Sequence, residues 1–108
     1  MGDYERPEGG VLTLKIYIAG KITGDPLYRR KFEMAAKELK QGGNVVLNPA
    51  VLPSGLSEAD YMRITMAMLD SADTVVLLPD YKDSKGALVE YGYALRVGKR
   101  VVRYQDLG

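Results

Sequence analysis

Apolar and polar positions alternate along the chain in two periods, and these predict four strands separated by three helices. In the first run, Leu12 to Ala19, the apolar Leu14, Ile16 and Ile18 alternate with polar residues and Tyr17, as is typical of a strand. The other predicted strands span residues 44–47, 73–79 and 100–104. The 73–79 run lacks alternation, which indicates a strand buried on both faces in the middle of a parallel sheet.

Apolar spacings of three and four residues predict the helices. They span Leu27 to Lys40, Ser57 to about Ser71, and about Ala87 to Val97. Asp25-Pro26 suits the start of the first helix, as an N-cap followed by proline, and Gly42-Gly43 suits its end. Residues 57–60 resemble a capping box for the second helix. That helix is apolar on most sides, so we expect it to be well buried.

The element order β-α-β-α-β-α-β predicts an α/β fold. We expect a small doubly wound, Rossmann- or flavodoxin-like parallel sheet of about four strands with helices on both faces. Residues 12–108 would form this single domain, and the polar, glycine-rich residues 1–11 a flexible arm. Ligands bind outside the carboxyl ends of such strands. This rule selects the loops at residues 20–25, 48–56 and 79–86.

Composition excludes several kinds of chemistry. The 108 residues include no histidine, cysteine or tryptophan, so disulfides, thiol nucleophiles, imidazole catalysis and the usual zinc sites are ruled out. A net charge of +1 gives no general attraction to nucleic acid or membranes. No apolar run is long enough to span a bilayer, and the first ten residues are too polar for a signal peptide. We therefore expect a cytoplasmic protein.

The glycine-bracketed loop after the first predicted strand is a candidate phosphate site. Backbone N–H groups and a following helix N-terminus can hold a phosphate there. The alternative is a plain βα turn that needs glycine for its geometry, and the loop matches neither a full GxGxxG nor a P-loop. The candidate binding residues are Gly20, Lys21, Ile22, Thr23 and Gly24, with Asn48, Ser84 and Gly86 from the other two loops.

Glu90 and Tyr17 are the candidate catalytic residues. Glu90 lies in GALVEYGYAL among apolar and small residues, where a carboxylate is costly unless it has partners or a function. We expect it in the first turn of its helix, where the dipole would keep it ionised at neutral pH. Tyr17, near the end of the first strand, can reach a carboxylate or a ligand hydroxyl. The alternatives are an exposed Glu at a helix start and a Tyr that only packs in the core.

Three segments together resemble one family, the nucleoside 2-deoxyribosyltransferase-like superfamily. They are KIYIAGKITG, VVLNP and SADTVVLLPDYKDSKGALVEYGYAL, and the resemblance runs from about Leu14 to Val102. The chain looks closest to a small phage and bacterial branch, similar to 2′-deoxynucleoside 5′-phosphate N-hydrolases. The resemblance implies an N-glycosidase or deoxyribosyltransferase acting on a nucleoside or its 5′-phosphate, without a metal or redox cofactor.

The resemblance also implies residue roles. Glu90 would be the nucleophile that attacks the anomeric carbon, and Tyr17 would position it. Ser84, Gly86 and the loop from Gly20 to Gly24 would hold the sugar and 5′-phosphate. Homologous folds form dimers that share sites, so the resemblance implies a homodimer or a higher homo-oligomer. The apolar helix that carries Met62 and Met66 is the candidate contact surface.

One position departs from the family pattern. Relatives carry an aspartate that serves the leaving base eight residues before the Asp of the third strand, and here that position is Thr65. Threonine cannot act as the acid, so Asp80 or an aspartate from a partner subunit would have to replace it. The alternative function is a non-catalytic protein that binds or senses a nucleotide-like ligand, and a third is a purely structural interaction domain.

Overall fold

The computed structural model describes residues 13–107, in which strands and helices alternate. The elements are β1 (Lys15–Ala19), α1 (Tyr28–Gln41), β2 (Val45–Leu47), α2 (Glu58–Ser71), β3 (Thr74–Leu77), α3 (Lys85–Arg96) and β4 (Arg100–Arg103). Short 3₁₀ turns follow β2, β3 and β4 at Pro49–Val51, Tyr81–Asp83 and Tyr104–Asp106. The predicted arm at residues 1–11 lies outside the described residues, as do Leu12 and Gly108, so the domain limits stay a prediction.

The strands form one parallel sheet in the order β2-β1-β3-β4. This confirms the predicted α/β fold with a small doubly wound, Rossmann-like sheet. The chain leaves β1 toward β2 on one side and later returns to β3 on the other. The loops after β1 and β3 therefore meet where the strand order reverses, which is the position that ligands favour in such sheets.

Side chains of β1 alternate between two cores, as the sequence pattern predicts. Ile16 and Ile18 pack with Phe32 and other buried residues of α1 on one face. Tyr17 packs on the opposite face in a cluster to which α2 and α3 contribute. All four residues of β3 are buried, as expected for a central parallel strand. The alternation thus sends Tyr17 toward the face that α3 covers.

The helix ends largely follow the predicted capping signals. Ser57 Oγ accepts a hydrogen bond of 3.1 Å from the backbone N–H of Asp60 at the start of α2. Gly43 follows α1 with a φ of +87°, a conformation that favours glycine. The predicted N-cap of α1 is wrong, however: the helix begins at Tyr28, and Asp25 accepts from the N–H of Leu27 at 2.9 Å in the turn before it.

The expectation that α2 is well buried is also wrong. Of its residues only Thr65 and Leu69 are fully buried, and Ile64 is 38% exposed. One side of α2 packs against β1 and α3, which leaves its outer side open in the single chain. The strands are shorter than predicted, and α3 begins at Lys85, two residues before the predicted Ala87. Within residues 13–107, no helix is long and apolar enough to cross a membrane.

Candidate functional site

A hydrogen bond joins the two candidate catalytic residues. The hydroxyl of Tyr17 on β1 donates to Glu90 Oε2 on α3 across 2.7 Å. Glu90 shares the buried side of α3 with Ala87 and Ala94, at spacings of three and four residues. Tyr17 is 1% exposed and Glu90 6% exposed. The exposed helix-start Glu that the sequence left open as an alternative is therefore excluded, and the carboxylate is buried beside a phenol.

Burial dominates the ionisation of this pair. It raises the pKa of Glu90 from 4.5 to about 7, although hydrogen bonds from Tyr17 and Thr65 act in the opposite direction. Burial, and then the adjacent charge of Glu90, raise the pKa of Tyr17 well above its usual value. The expectation that Glu90 is fully ionised at neutral pH is wrong. The helix begins two residues early, so Glu90 lies in the second turn, where the dipole effect has faded.

Thr65 is the third polar side chain at this site, and sequence reasoning missed it as a contact. It is 5% exposed, and its polar side chain lowers the pKa of both Glu90 and Tyr17. Its hydroxyl donates to the carbonyl of Met62 at 3.5 Å, which is a long and therefore weak hydrogen bond. In the sequence, Thr65 was noted only because it stands where the family pattern has an aspartate. Fold geometry puts it beside the carboxylate.

The loop after β1 is tied to the loop after β3 by an ionic cluster. The N–H of Lys21 donates to Asp80 Oδ1 at 3.1 Å, which occupies one amide that a bound phosphate would use. Lys31 Nζ donates to the carbonyl of Lys21 at 2.9 Å, to Asp25 Oδ2 at 2.6 Å and to Asp80 Oδ2. Asp80 is thus engaged through both oxygens, and it is not a free proton donor for a leaving base.

The two glycines of this loop have structural explanations. A Cβ at Gly20 would lie 2.8 Å from Leu78 Cδ1, so the backbone packs there too closely for any side chain. Gly24 has a φ of +84°. Ile22 packs against the core on the α1 face, and Thr23 is exposed. The plain βα turn accounts for both glycines without a ligand.

The remaining candidates lie at two different places. Ser84 Oγ accepts from the N–H of Ala87 at 3.1 Å and caps α3, and Gly86 follows in the first turn of that helix. Asn48 Oδ1 accepts from the N–H of Ala50 at 2.9 Å. Asn48 lines an open groove of about 700 Å³ with residues of α1, which covers the opposite face of the sheet from Glu90. The structure therefore does not bring Asn48 to the Tyr17–Glu90 pair.

Within residues 13–107, no three acidic side chains lie close enough together to hold a metal ion. The site at Glu90 consists instead of one carboxylate, one phenol and one hydroxyl in an apolar setting. A buried carboxylate held by a phenol can act as a nucleophile or exchange a proton near neutral pH.

Comparison with curated proteins gives no match. Comparison with protein families gives a match over residues 14–103, which include every strand and helix of the sheet and both residues of the Tyr17–Glu90 pair. The chain belongs to the family described as Domain of unknown function (DUF4406).

Proposed function

We propose that the protein cleaves the N-glycosidic bond of a nucleoside or nucleoside 5′-phosphate, with Glu90 as the nucleophile. The observation that carries the proposal is the 2.7 Å hydrogen bond from Tyr17 to Glu90 Oε2 in a buried setting. Because Tyr17 binds Oε2, Oε1 is the oxygen proposed to attack. The resemblance to nucleoside 2-deoxyribosyltransferase-like enzymes, which extends over most of the chain, supports the same role.

The reaction has two steps. Glu90 Oε1 attacks the anomeric carbon, the bond from that carbon to the base nitrogen breaks, and its electron pair leaves with the base. A glycosyl ester on Glu90 results, which water cleaves in hydrolysis or a second base cleaves in transfer. Tyr17 keeps its proton, because burial and the adjacent carboxylate raise its pKa, so it stays a hydrogen-bond donor throughout.

The sugar and any 5′-phosphate would be held at the carboxyl edge of the sheet. Ser84 and Gly86 lie at the N-terminus of α3, where unpaired backbone N–H groups and the helix dipole favour an anion. The loop from Gly20 to Gly24 lies at the adjoining end of β1. Lys21 and Thr23 of that loop are the side chains proposed to add contacts.

Release of free base tests the proposal. The protein is incubated with ribo- and deoxyribonucleosides and their 5′-phosphates, including both neutral and positively charged bases, and products are separated by chromatography. We expect release from at least one substrate, loss of release in Glu90→Gln, and no change in Glu33→Gln, which alters an exposed glutamate on α1. Release that persists in Glu90→Gln, or no release from any substrate, contradicts the proposal.

A second candidate function is binding of a nucleotide-like ligand without turnover. The observation that favours it is Thr65, which is buried at the position where the family pattern has an aspartate and is not a carboxyl group. Proton donation to a leaving group typically contributes ~10²–10⁴-fold in rate. Calorimetry that detects nucleotide binding together with no base release would select this function.

We also propose that the protein forms a homodimer or a higher homo-oligomer through the outer sides of α2 and α3. Large apolar side chains there are between about two fifths and a half exposed: Ile64 (38%), Leu88 (42%), Val89 (53%) and Leu95 (54%). Exposed apolar side chains on two neighbouring helices are expected to favour protein contacts where they lie together. Size-exclusion chromatography with light scattering measures the mass, and a monomer contradicts this proposal.

A further inference from the structure

Within residues 13–107, no positively charged side chain pairs with the buried carboxylate of Glu90. Its carboxylate accepts a hydrogen bond from Tyr17 on β1. Tyr17 in turn lies in a buried apolar cluster to which β3, α2 and α3 contribute. The ion pairs among residues 13–107 lie elsewhere, as between Lys31 and Asp25. Buried charges in proteins are normally paired, so this carboxylate lacks the partner that its ionised form requires.

Among the described residues of a single chain, no second carboxyl group influences the pKa of Glu90 either. Glycosidases that form a covalent intermediate use a second carboxyl group, about 5 Å from the first, to protonate the leaving group. In the part of the chain that the structure describes, Asp80 is bonded through both oxygens to Lys21 and Lys31. Tyr17 already donates its proton to Glu90. The described residues therefore provide no free proton donor for a base that must be protonated before it leaves.

From these two observations we infer that the Glu90 site takes nucleosides or nucleotides whose base carries a fixed positive charge, such as N-ribosylpyridinium compounds. The inference rests on the proposed function and narrows its substrate class. The positive ring supplies the missing counter-charge to Glu90. It also removes the need for an acid, because a cationic base becomes neutral when it leaves.

The chemical step balances without any further reactant than water. Glu90 Oε1 bonds to the anomeric carbon, the carbon–nitrogen bond breaks, and its electron pair neutralises the ring nitrogen. The oxygen of a water molecule then bonds to the anomeric carbon, and the bond between that carbon and Oε1 breaks. The electron pair of the broken bond goes to Oε1, which restores the carboxylate of Glu90. One proton of the water passes through this carboxylate to solvent. One cationic glycoside and one water give the free sugar, the neutral base and one proton.

The ionisation of Glu90 supports this assignment. A nearby positive charge favours the charged form of a carboxyl group. With a pKa of about 7, Glu90 is only partly ionised at neutral pH, and a cationic ligand would displace the remaining proton. Binding of such a ligand is then expected to strengthen as the pH rises through about 7 and to release protons near that pH.

Nicotinamide mononucleotide and its reduced form make a matched pair of probes, since they share the ribose, phosphate and carboxamide and differ in the ring charge. Binding is measured by calorimetry and base release by chromatography, each against a protein-free blank, at a pH about one unit above the pKa of Glu90. The proteins are wild type, Glu90→Gln and the exposed control Glu33→Gln.

We expect wild type and Glu33→Gln to bind the oxidised form at least roughly tenfold more tightly than the reduced form, and Glu90→Gln to lose this preference. Equal binding of the two forms, no binding of either, or a preference that survives in Glu90→Gln overturns the inference. So does release of base from neutral nucleotides as efficient as from the oxidised probe, although the proposed function would then stand. A Glu90-dependent preference without base release supports the inference and contradicts the proposed glycosidase.

Discussion

The free energy of unfolding is expected to depend on pH through Glu90. The fold raises the pKa of this carboxyl group from 4.5 to about 7, so the protonated form is favoured in the folded state. A group whose pKa is raised by folding stabilises the fold fully below its unfolded pKa and loses that contribution as the pH rises through the folded pKa. The window for Glu90 therefore extends from about pH 4.5 to somewhat above pH 7.

The size of the effect follows from the two pKa values. Raising a pKa from 4.5 to about 7 corresponds to about 3 kcal/mol of stability that is lost between the two ends of the window. This is a large part of the ~5–15 kcal/mol that stabilises a typical domain. Hydrogen bonds from Tyr17 and Thr65 are already included in the value, since both lower the pKa of Glu90.

Glu90→Gln isolates this contribution, because the amide has the shape of the protonated acid and does not titrate. Urea denaturation of wild type and variant, at a series of pH values from about 4.5 to 9, gives the difference in unfolding free energy. Other titrating groups cancel in the difference. We expect similar stabilities at the acid end and a variant more stable by about 3 kcal/mol at the alkaline end.

The control Glu33→Gln changes an exposed glutamate and leaves Glu90 intact, so it should keep the loss of stability that Glu90 causes toward alkaline pH. If the unfolding free energies of wild type and Glu90→Gln differ by the same amount at every pH of the series, the reasoning is refuted. Such a result would mean that Glu90 titrates in the fold as it does in the unfolded chain. A difference that grows toward acid would refute it as well, because it would mean that the fold favours the ionised form.

Two further substitutions test contacts of the same region. Tyr17→Phe removes a hydrogen bond that lowers the pKa of Glu90, so the midpoint of the pH-dependent stability should move above that of wild type in the same denaturation series. Gly20→Ala places a Cβ 2.8 Å from Leu78 Cδ1 and should lower the unfolding free energy by ~1–3 kcal/mol, measured by urea denaturation. Its control, Gly92→Ala in α3, meets no atom within 4 Å and should be stabilising by ~0.5–1 kcal/mol. A stable Gly20→Ala variant, or a Tyr17→Phe midpoint below that of wild type, would contradict these contacts.

Local sequence predicts the burial of Tyr17 and Glu90, whereas their pairing was implied by the family resemblance. Strand alternation places Tyr17 opposite Ile16 and Ile18, and the apolar neighbours of Glu90 indicate burial on a helix. In a parallel sheet these two rules bring both residues to the same face, although they are 73 positions apart in sequence. The fold class follows from the same local periods, because each element needs only short-range information to be recognised.

The ionisation of Glu90 was harder to predict because the pattern of apolar neighbours does not say how strongly burial acts on the carboxyl group. A start at Ala87 would put Glu90 in the first turn of α3, whereas the observed start at Lys85 puts it in the second turn. A helix dipole is worth typically ~0.3–1 kcal/mol, which is less than the about 3 kcal/mol that corresponds to the rise of the pKa from 4.5 to about 7. Burial, and not the position of the helix start, therefore sets the pKa of Glu90.

No local sequence pattern predicts the ionic cluster that joins the loops after β1 and β3. Asp25 has the sequence features of an N-cap, yet its carboxylate pairs with Lys31 and accepts from the N–H of Leu27. The second carboxylate on Lys31 comes from Asp80, 49 residues away. Such a contact depends on the strand order, since the loops after β1 and β3 meet only because these strands are neighbours.

Stability and function place opposite demands on Glu90. The fold is most stable with this carboxyl group protonated, whereas a nucleophile must be ionised. Whatever occupies the site therefore has to favour the charged form by more than burial disfavours it. A positively charged ring beside Glu90 would favour the charged form of the carboxyl group and so lower its pKa. Binding of the inferred cationic ligand would therefore increase the fraction of Glu90 that is ionised, which is the form that a nucleophile requires.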